Sequence, residues 1–152
     1  MDIKFMKSAL KQADIALKED EVPIGAVIVK DGVILARGRN RIEKTNVATR
    51  HAEIEAIEKA CKKLNSWRLD GAEMYVTIEP CPMCAGAIVN ARIKKVYFGA
   101  YEVKSGAAES KFKVLTDSGL NHVTEFEGGI LKDICSQKIK NYFKAKRVKN
   151  LD

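Results

Sequence analysis

The sequence lacks the features that mark membrane, secreted or disordered proteins. No apolar run approaches the roughly 20 residues that a membrane-spanning helix needs. The N-terminal stretch MDIKFMKSALKQADIALKED has no signal-peptide core, and the chain has no repeat, low-complexity segment or linker. With 152 residues and a 46% hydrophobic fraction, it has enough apolar material for a packed core. We therefore expect a single cytoplasmic domain over residues 1–152 with no membrane contact.

Cysteine is also scarce, with four residues in the chain, yet two of them fall within the six residues EPCPMC. In the cytoplasm thiols stay reduced, so Cys81 and Cys84 indicate a metal or redox site rather than a structural disulfide. Cys61 and Cys135 lie at helical core spacing and are predicted to be plain buried residues.

Acidic residues are few towards the C-terminus. The chain has 27 basic and 20 acidic residues, and the segment from Ile130 onward carries five of the seven net positive charges. A localised basic face is typical of a protein that binds a polyanion. A solvated helix face with a lysine-rich end would give the same composition, so charge alone leaves both interpretations open.

The order of helices and strands predicts a three-layer α/β/α fold. An N-terminal helix precedes two strands that meet at the hairpin signal Asp31-Gly32. Helical and strand patterns then alternate, with strands predicted at AEMYVTIE, KVYFG and HVTEFE and a long basic helix at about 130–149. This order indicates a mixed central sheet of about five strands with helices on both faces. The N-terminal helix should bury Met6, Ala9, Leu10, Ala13 and Leu17, and the last helix Leu131, Ile134, Cys135, Ile139, Tyr142 and Phe143.

Two strand-to-helix junctions carry side chains suited to metal chemistry. RHAEIEAI places His51 and Glu53 in the opening turn of one helix, and IEPCPMCAGAI places Cys81 and Cys84 at the start of the next. Sites in α/β folds form where strands end and helices begin. Thiolates at a helix N-terminus are favoured by the exposed N–H groups and the positive end of the helix dipole.

His51, Cys81 and Cys84 form a plausible ligand set for Zn²⁺. Zinc accepts cysteine sulfur and histidine nitrogen, and three protein ligands with one open position are typical of catalytic rather than structural sites. Glu53 would then move protons without binding the metal. The combination of His-x-Glu with Pro-Cys-x-x-Cys is typical of zinc deaminases of nucleobases. A thiol redox motif is the alternative, although such a motif needs no His-x-Glu partner.

Several blocks of the sequence extend this likeness beyond the metal motif. PIGAVIV, RGRN, HAEIEAI, EPCPMCAGAI, RIKKVYFGA, KSGAA and LNH run through nearly the whole chain. With these blocks, the chain resembles the tRNA-specific adenosine deaminases within the cytidine-deaminase-like fold. The resemblance implies a zinc-dependent hydrolase that converts the wobble adenosine of a tRNA anticodon loop to inosine, and a homodimer.

The resemblance also implies two substrate contacts. Asn40 in RGRN would hydrogen-bond the flipped base, because an amide offers a donor and an acceptor to a purine edge. Phe143 in NYF would contact the anticodon loop, although its spacing equally suits core packing of the last helix. Without the resemblance, Asn40 would be an ordinary turn residue.

The chain departs from the family pattern at several positions near the motifs. Arg50 precedes His51, Glu109 stands where a glycine is usual, and Lys111 and Phe112 replace small or aliphatic residues. These changes leave the metal motif intact and bear on RNA affinity. The alternative activity is deamination of a free base or nucleoside such as guanine or cytosine. A non-catalytic RNA-binding subunit is a third possibility, but such a subunit would be expected to lack Glu53.

Overall fold

The computed structural model describes residues 1–150 of the chain. The last two residues of the predicted 1–152 domain, among them the acidic Asp152, lie outside the described residues. The elements follow in the order α1 (Ile3–Lys18), β1 (Gly25–Lys30), β2 (Val33–Arg39), α2 (Ile42–Thr45), α3 (Ala52–Leu64), β3 (Glu73–Ile78), α4 (Pro82–Asn90), β4 (Lys95–Ala100), β5 (Glu125–Glu127) and α5 (Lys132–Asn150).

The five strands form one mixed sheet in the order β2-β1-β3-β4-β5. Strand β1 pairs antiparallel with both β2 and β3, whereas β3, β4 and β5 run parallel to one another. The predicted hairpin is confirmed: Asp31 and Gly32 both have positive φ angles, as a tight turn between twisted strands requires. The parallel strands β3 and β4 therefore end at the same edge of the sheet.

The core is divided between the two faces of the sheet, as the α/β/α prediction requires. Alternate residues of β1 face opposite layers, with Ala26 and Ile28 on one side and Val27 and Val29 on the other. Helices α3 and α4 cover the first face, while α1 and the start of α5 cover the second. None of the helices in residues 1–150 is both long and apolar enough to cross a membrane.

Two predictions about helix burial are wrong. Leu17 is exposed although Met6, Ala9, Leu10 and Ala13 are buried; its neighbour Ala16 is fully buried, so Ala16 rather than Leu17 faces the core at this end of α1. Helix α5 is mostly uncovered: Cys135 is its one buried residue in the described part of the chain.

The rest of the predicted apolar face is covered only in part: Leu131, Ile139 and Tyr142 are half-buried, and two residues are exposed. Ile134 is 50% exposed and Phe143 is 44% exposed. The apolar residues of α5 do recur at helical spacing. The helix packs mainly against β4 and β3, however, so most of that apolar face is not covered by the sheet.

Candidate active site

The predicted ligands come from the first turns of two helices. His51 is the N-cap residue of α3 and Cys81 is the N-cap residue of α4, with Pro82 at the first helical position. Neither side chain makes a capping hydrogen bond, so both are available for another role. Cys84 follows one turn later and is completely buried. Proline fits this place because the first helical N–H has no partner within the helix.

The structure brings His51, Cys81 and Cys84 together. The Nδ1 atom of His51 lies 3.4 Å from Cys84 Sγ and 3.7 Å from Cys81 Sγ. All three donor atoms fall within 4.8 Å of one another, the spacing of a candidate metal site. His122 is held elsewhere, with its Nε2 2.9 Å from the carbonyl oxygen of Ile93.

The electrostatics of this cluster suit a cation. The hydrogen bond from the Cys84 thiol, reinforced by His51, lowers the pKa of Cys81 to about 4. The same Cys81–Cys84 bond and burial raise the pKa of Cys84. Contact with the Cys81 sulfur raises the pKa of His51. Two cysteine sulfurs and one imidazole nitrogen form the kind of donor set that binds a borderline-soft metal ion.

Glu53 lies in the first turn of α3, two residues after the predicted ligand His51. Its side chain is 2% exposed, and burial raises the pKa of its carboxyl group to about 6. Interactions with His51 and Cys84 place it beside the ligand cluster. A carboxyl group in this position is suited to taking up and releasing a proton near neutral pH.

Asn40 is buried and makes a hydrogen bond with the start of α3. Its Oδ1 atom accepts a hydrogen bond of 3.0 Å from the backbone N–H of Ala52, the first residue of α3. The side chain of Asn40 thereby accepts a hydrogen bond from the N-terminal turn of α3, which the side chain of the N-cap residue His51 does not. The side-chain N–H groups of Asn40 make no hydrogen bond within residues 1–150.

Phe143 does not pack in the core, so that alternative is wrong. With Tyr142 and Lys146 it lines a groove whose other wall contains residues of the α1 end and of α2, the short helix that begins two residues after Asn40. The structure therefore leaves Phe143 on the surface, on one wall of this groove.

Two lysines of the basic helix α5 form ion pairs with the N-terminal part of the chain. Lys138 pairs with Asp14 at 2.6 Å and Lys146 pairs with Asp20 at 3.1 Å. The exposed cations of α5 include Lys140, Lys144, Arg147 and Lys149.

No role was predicted from the sequence for two buried carboxylates, Glu79 beside the metal-ligand turn and Glu21 beneath α2. Glu79, immediately before Pro80-Cys81, accepts backbone N–H bonds from Glu102 and from residues 108–110. Glu21 accepts from the backbone N–H groups of Glu43 and Lys44. A charged residue at the end of an apolar strand, as in YVTIE, was the available signal for Glu79.

Comparison with known proteins places this geometry in a family. The family model described as MafB19-like deaminase matches residues 2–147. The tRNA-specific adenosine deaminase of Bacillus subtilis (strain 168) is 44% identical over 148 residues, which cover 97% of this chain and 92% of that protein.

Two solved structures agree on the fold. One, from a study of A-to-I editing by tRNA:A34 deaminases at the wobble position, has a TM-score of 0.87 and 43% identity, covering 90% of this chain and 99% of the other. A guanine deaminase from Bacillus subtilis has a TM-score of 0.63 and 45% identity, covering 72% of this chain and 69% of the other. From the extent of these matches and the shared cytidine-deaminase-like fold, we conclude that the chain belongs to the family of the tRNA-specific adenosine deaminases.

Proposed function

We propose that the chain is a zinc-dependent hydrolytic deaminase that converts adenosine to inosine at the wobble position of a tRNA anticodon loop. The observation that carries this proposal is the joint placement of His51, Cys81 and Cys84 beside the buried Glu53. The relatives with 43–46% identity, which are named for tRNA adenosine deamination, support the substrate class.

His51, Cys81 and Cys84 would hold the zinc ion. Their donors are the sulfur and nitrogen atoms that zinc prefers, and three protein ligands leave one position of a tetrahedral ion open. When bound, zinc lowers the pKa of a coordinated water and so supplies a nucleophile near neutral pH.

Glu53 would be the proton carrier of the reaction. Attack of water at C6 of adenine requires a proton at N1 and a second proton on the departing amino group. Glu53 would take one proton from the attacking water and pass it to N1. It would then take the second proton from the hydroxyl group on C6 and pass it to the departing amino group, so that the C6 carbonyl of inosine forms as ammonia leaves. The products are inosine and ammonia.

Asn40 and Phe143 would hold the RNA. With its Oδ1 fixed by Ala52, Asn40 would donate from its amide nitrogen to the flipped base. The exposed ring of Phe143 would contact a loop nucleotide, and the cations of α5 would contact phosphates, which attract lysine and arginine without reading the sequence. A loop adenosine is largely unpaired, so extruding it costs at most a few kcal/mol.

A second candidate function is deamination of a free base such as guanine. The 45% identity with a solved guanine deaminase favours it, because the metal motif is common to both activities. The basic surface of α5 favours RNA, since a free base has no phosphates to contact.

The deciding experiment incubates the zinc-loaded protein with a tRNA that has adenosine at the wobble position and, in parallel, with free adenine, guanine and cytosine. We expect inosine at the wobble position in the tRNA sample and no ammonia from the free bases. Ammonia from a free base with unchanged tRNA would overturn the RNA substrate. An oxidisable Cys81–Cys84 pair with no bound metal would overturn the zinc site as well and support the redox alternative.

We also propose that the enzyme is a homodimer in the cytoplasm, where tRNA and reduced thiols are found. The family resemblance supports the dimer. Sedimentation equilibrium at micromolar concentration should give twice the 16.9 kDa chain mass, and a single chain mass would contradict this proposal.

A further inference from the structure

The carboxylate of Glu79 is buried among backbone N–H groups. It is 1% exposed and accepts from the backbone of Glu102 at 3.1 Å, Ala108 at 3.2 Å, Glu109 at 2.9 Å and Ser110 at 2.9 Å. The hydroxyl of Ser110 donates to it as well. Five donors therefore converge on one side chain.

The charge of Glu79 is balanced by backbone N–H dipoles and not by a basic side chain within the described residues. Among the ion pairs of residues 1–150, none includes Glu79. A buried charge is tolerated when its lone pairs are filled by hydrogen bonds, and bonds to an ionised acceptor are stronger than neutral ones. Breaking them would leave either the carboxylate or the N–H groups without partners.

The 102–110 loop that supplies these donors lies beside the turn that carries Cys81. Glu79 follows β3 and the loop follows β4, and these parallel strands end at the same edge of the sheet. The N–H of Glu79 donates to the Ala100 carbonyl at 2.8 Å, and the N–H of Ala107 donates to the Pro80 carbonyl at 2.8 Å. The loop is thus attached directly to the metal-ligand turn.

The inner and outer sides of the loop differ sharply. On the inner side Ala107 and Ala108 are buried, and a Cβ on Gly106 would overlap the carboxyl group of Glu79. On the outer side Val103 is 73% exposed and Lys104 is exposed. Glu109 is exposed as well, so the loop presents a mixed apolar and charged surface at the same edge as the candidate metal site, in a shape fixed from within by Glu79.

We propose that Glu79 is a positioning residue that holds the 102–110 loop in the conformation in which it contacts the RNA substrate. The RNA part of this inference rests on the proposed function. Glu79 does not touch the metal ligands or the base, and it acts through the loop. Loss of its charge should weaken the binding of tRNA while leaving the zinc site and the chemical step intact.

The first test is amide hydrogen exchange of the zinc-loaded Glu79→Gln variant. The amide of glutamine brings two more N–H donors into a site that already contains five, so the loop should lose its anchor. We expect exchange at residues 108–110 to become about tenfold faster, as loss of a hydrogen bond to a charged group would cause. Unchanged exchange at these amides would overturn the proposal.

Glu21→Gln is the matched control for this change. Glu21 is a second buried carboxylate that accepts backbone N–H bonds, but its donors belong to Glu43 and Lys44. Its variant should speed exchange at those two residues and leave residues 108–110 unchanged. If both variants speed exchange throughout the chain, Glu79 acts on global stability and the proposal fails.

The second test separates KM from kcat on tRNA. For Glu79→Gln we expect one zinc per chain, a KM for tRNA raised about tenfold and a kcat within about twofold of wild type. The core variant Met6→Ala, on the opposite face of the sheet, should lower stability without raising KM. A Glu79→Gln variant that loses zinc, or that loses kcat at constant KM, would contradict the proposal.

If the Glu79→Gln variant does not fold, the same measurements can be made on Ser110→Ala. It removes one of the five donors and retains the carboxylate, so a smaller rise in KM and faster exchange confined to the loop are expected. No change in either quantity would overturn the proposal. If wild-type protein does not edit tRNA at all, the proposed function fails, and the exchange measurements alone decide whether Glu79 holds the loop.

Discussion

The metal cluster and helix α5 contrast in how the fold holds them. His51, Cys81 and Cys84 lie at the starts of helices that pack on the sheet, and the surrounding backbone fixes their positions. Helix α5 has 19 residues, of which Cys135 alone is buried, and two ion pairs attach it to α1 and the residues that follow. The proposed chemistry would therefore depend on rigid packing, whereas the proposed RNA docking would depend on an exposed, charged surface whose attraction salt can weaken.

The largest expected effect comes from the rigid region. Glu53→Gln removes the proton carrier and keeps the side-chain shape, so we expect turnover to fall by about 100- to 10,000-fold. Zinc content should stay at one ion per chain, because Glu53 is not a proposed ligand. Glu55→Gln is the matched control: Glu55 is also buried in α3 but pairs with Lys59, and its variant should retain most of the activity. Equal losses in both variants would contradict the role of Glu53.

The next effect tests the exposed region. Phe143→Ala should raise KM for tRNA by about 5- to 100-fold, the range that loss of one base-stacking contact produces. Since Phe143 is largely exposed, the free energy of unfolding should change by less than about 1 kcal/mol. Val148→Ala, at another exposed apolar residue of α5, should leave KM unchanged. A large loss of stability without a change in KM would show that Phe143 supports folding rather than RNA binding.

A smaller effect is expected from the charges of α5. The double variant Lys144→Ala with Lys149→Ala should lower the slope of log affinity for tRNA against log salt by about 1.5, since each phosphate contact contributes somewhat less than one. The control removes Lys62 and Lys63, which lie in the last turn of α3, about 20 Å along the helix from the metal cluster. If both double variants lower the slope equally, net charge rather than α5 attracts the RNA.

The smallest effect concerns Glu19, which follows α1 and shares a groove with residues of α5. Hydrogen bonds from Arg39 and Lys44 lower the pKa of Glu19 from 4.5 to about 2. Because the pKa is lower in the folded state, the ionised group stabilises the fold above about pH 4.5, and this contribution is lost as the pH falls through about 2.

The Glu19→Gln variant isolates that contribution. Urea midpoints measured for both proteins from pH 6 to pH 2 should differ most above pH 4.5 and converge at the acid end. A difference that stays constant with pH would contradict the assigned pKa shift.

Sequence alone predicted the rigid region well. The Asp31-Gly32 hairpin, a mixed sheet of about five strands and the grouping of His51 with Cys81 and Cys84 follow from rules on turns, periodicity and helix starts. These rules depend on neighbouring residues, so the rest of the fold does not alter them.

The exposed region and the loop contacts were harder to predict. The apolar spacing of α5 indicates a buried face, but spacing does not reveal whether the sheet is wide enough to cover it, and Ile134 is half exposed. The engaged acceptor of Asn40 and the five donors around Glu79 depend on contacts between segments distant in sequence. Helix α2 was missed because its four residues are too few to show periodicity.

The most direct test of the separation between the two regions is a chain that ends at Ile139. It retains Cys135 and the Lys138–Asp14 pair and loses the exposed part of α5. Zinc content and inosine formation should be measured on the same sample. We predict one zinc per chain, as in the full chain, with editing of tRNA reduced by at least about 100-fold at subsaturating RNA. Loss of zinc, or editing with an unchanged KM, would contradict the division of the molecule into a rigid catalytic region and an exposed docking helix.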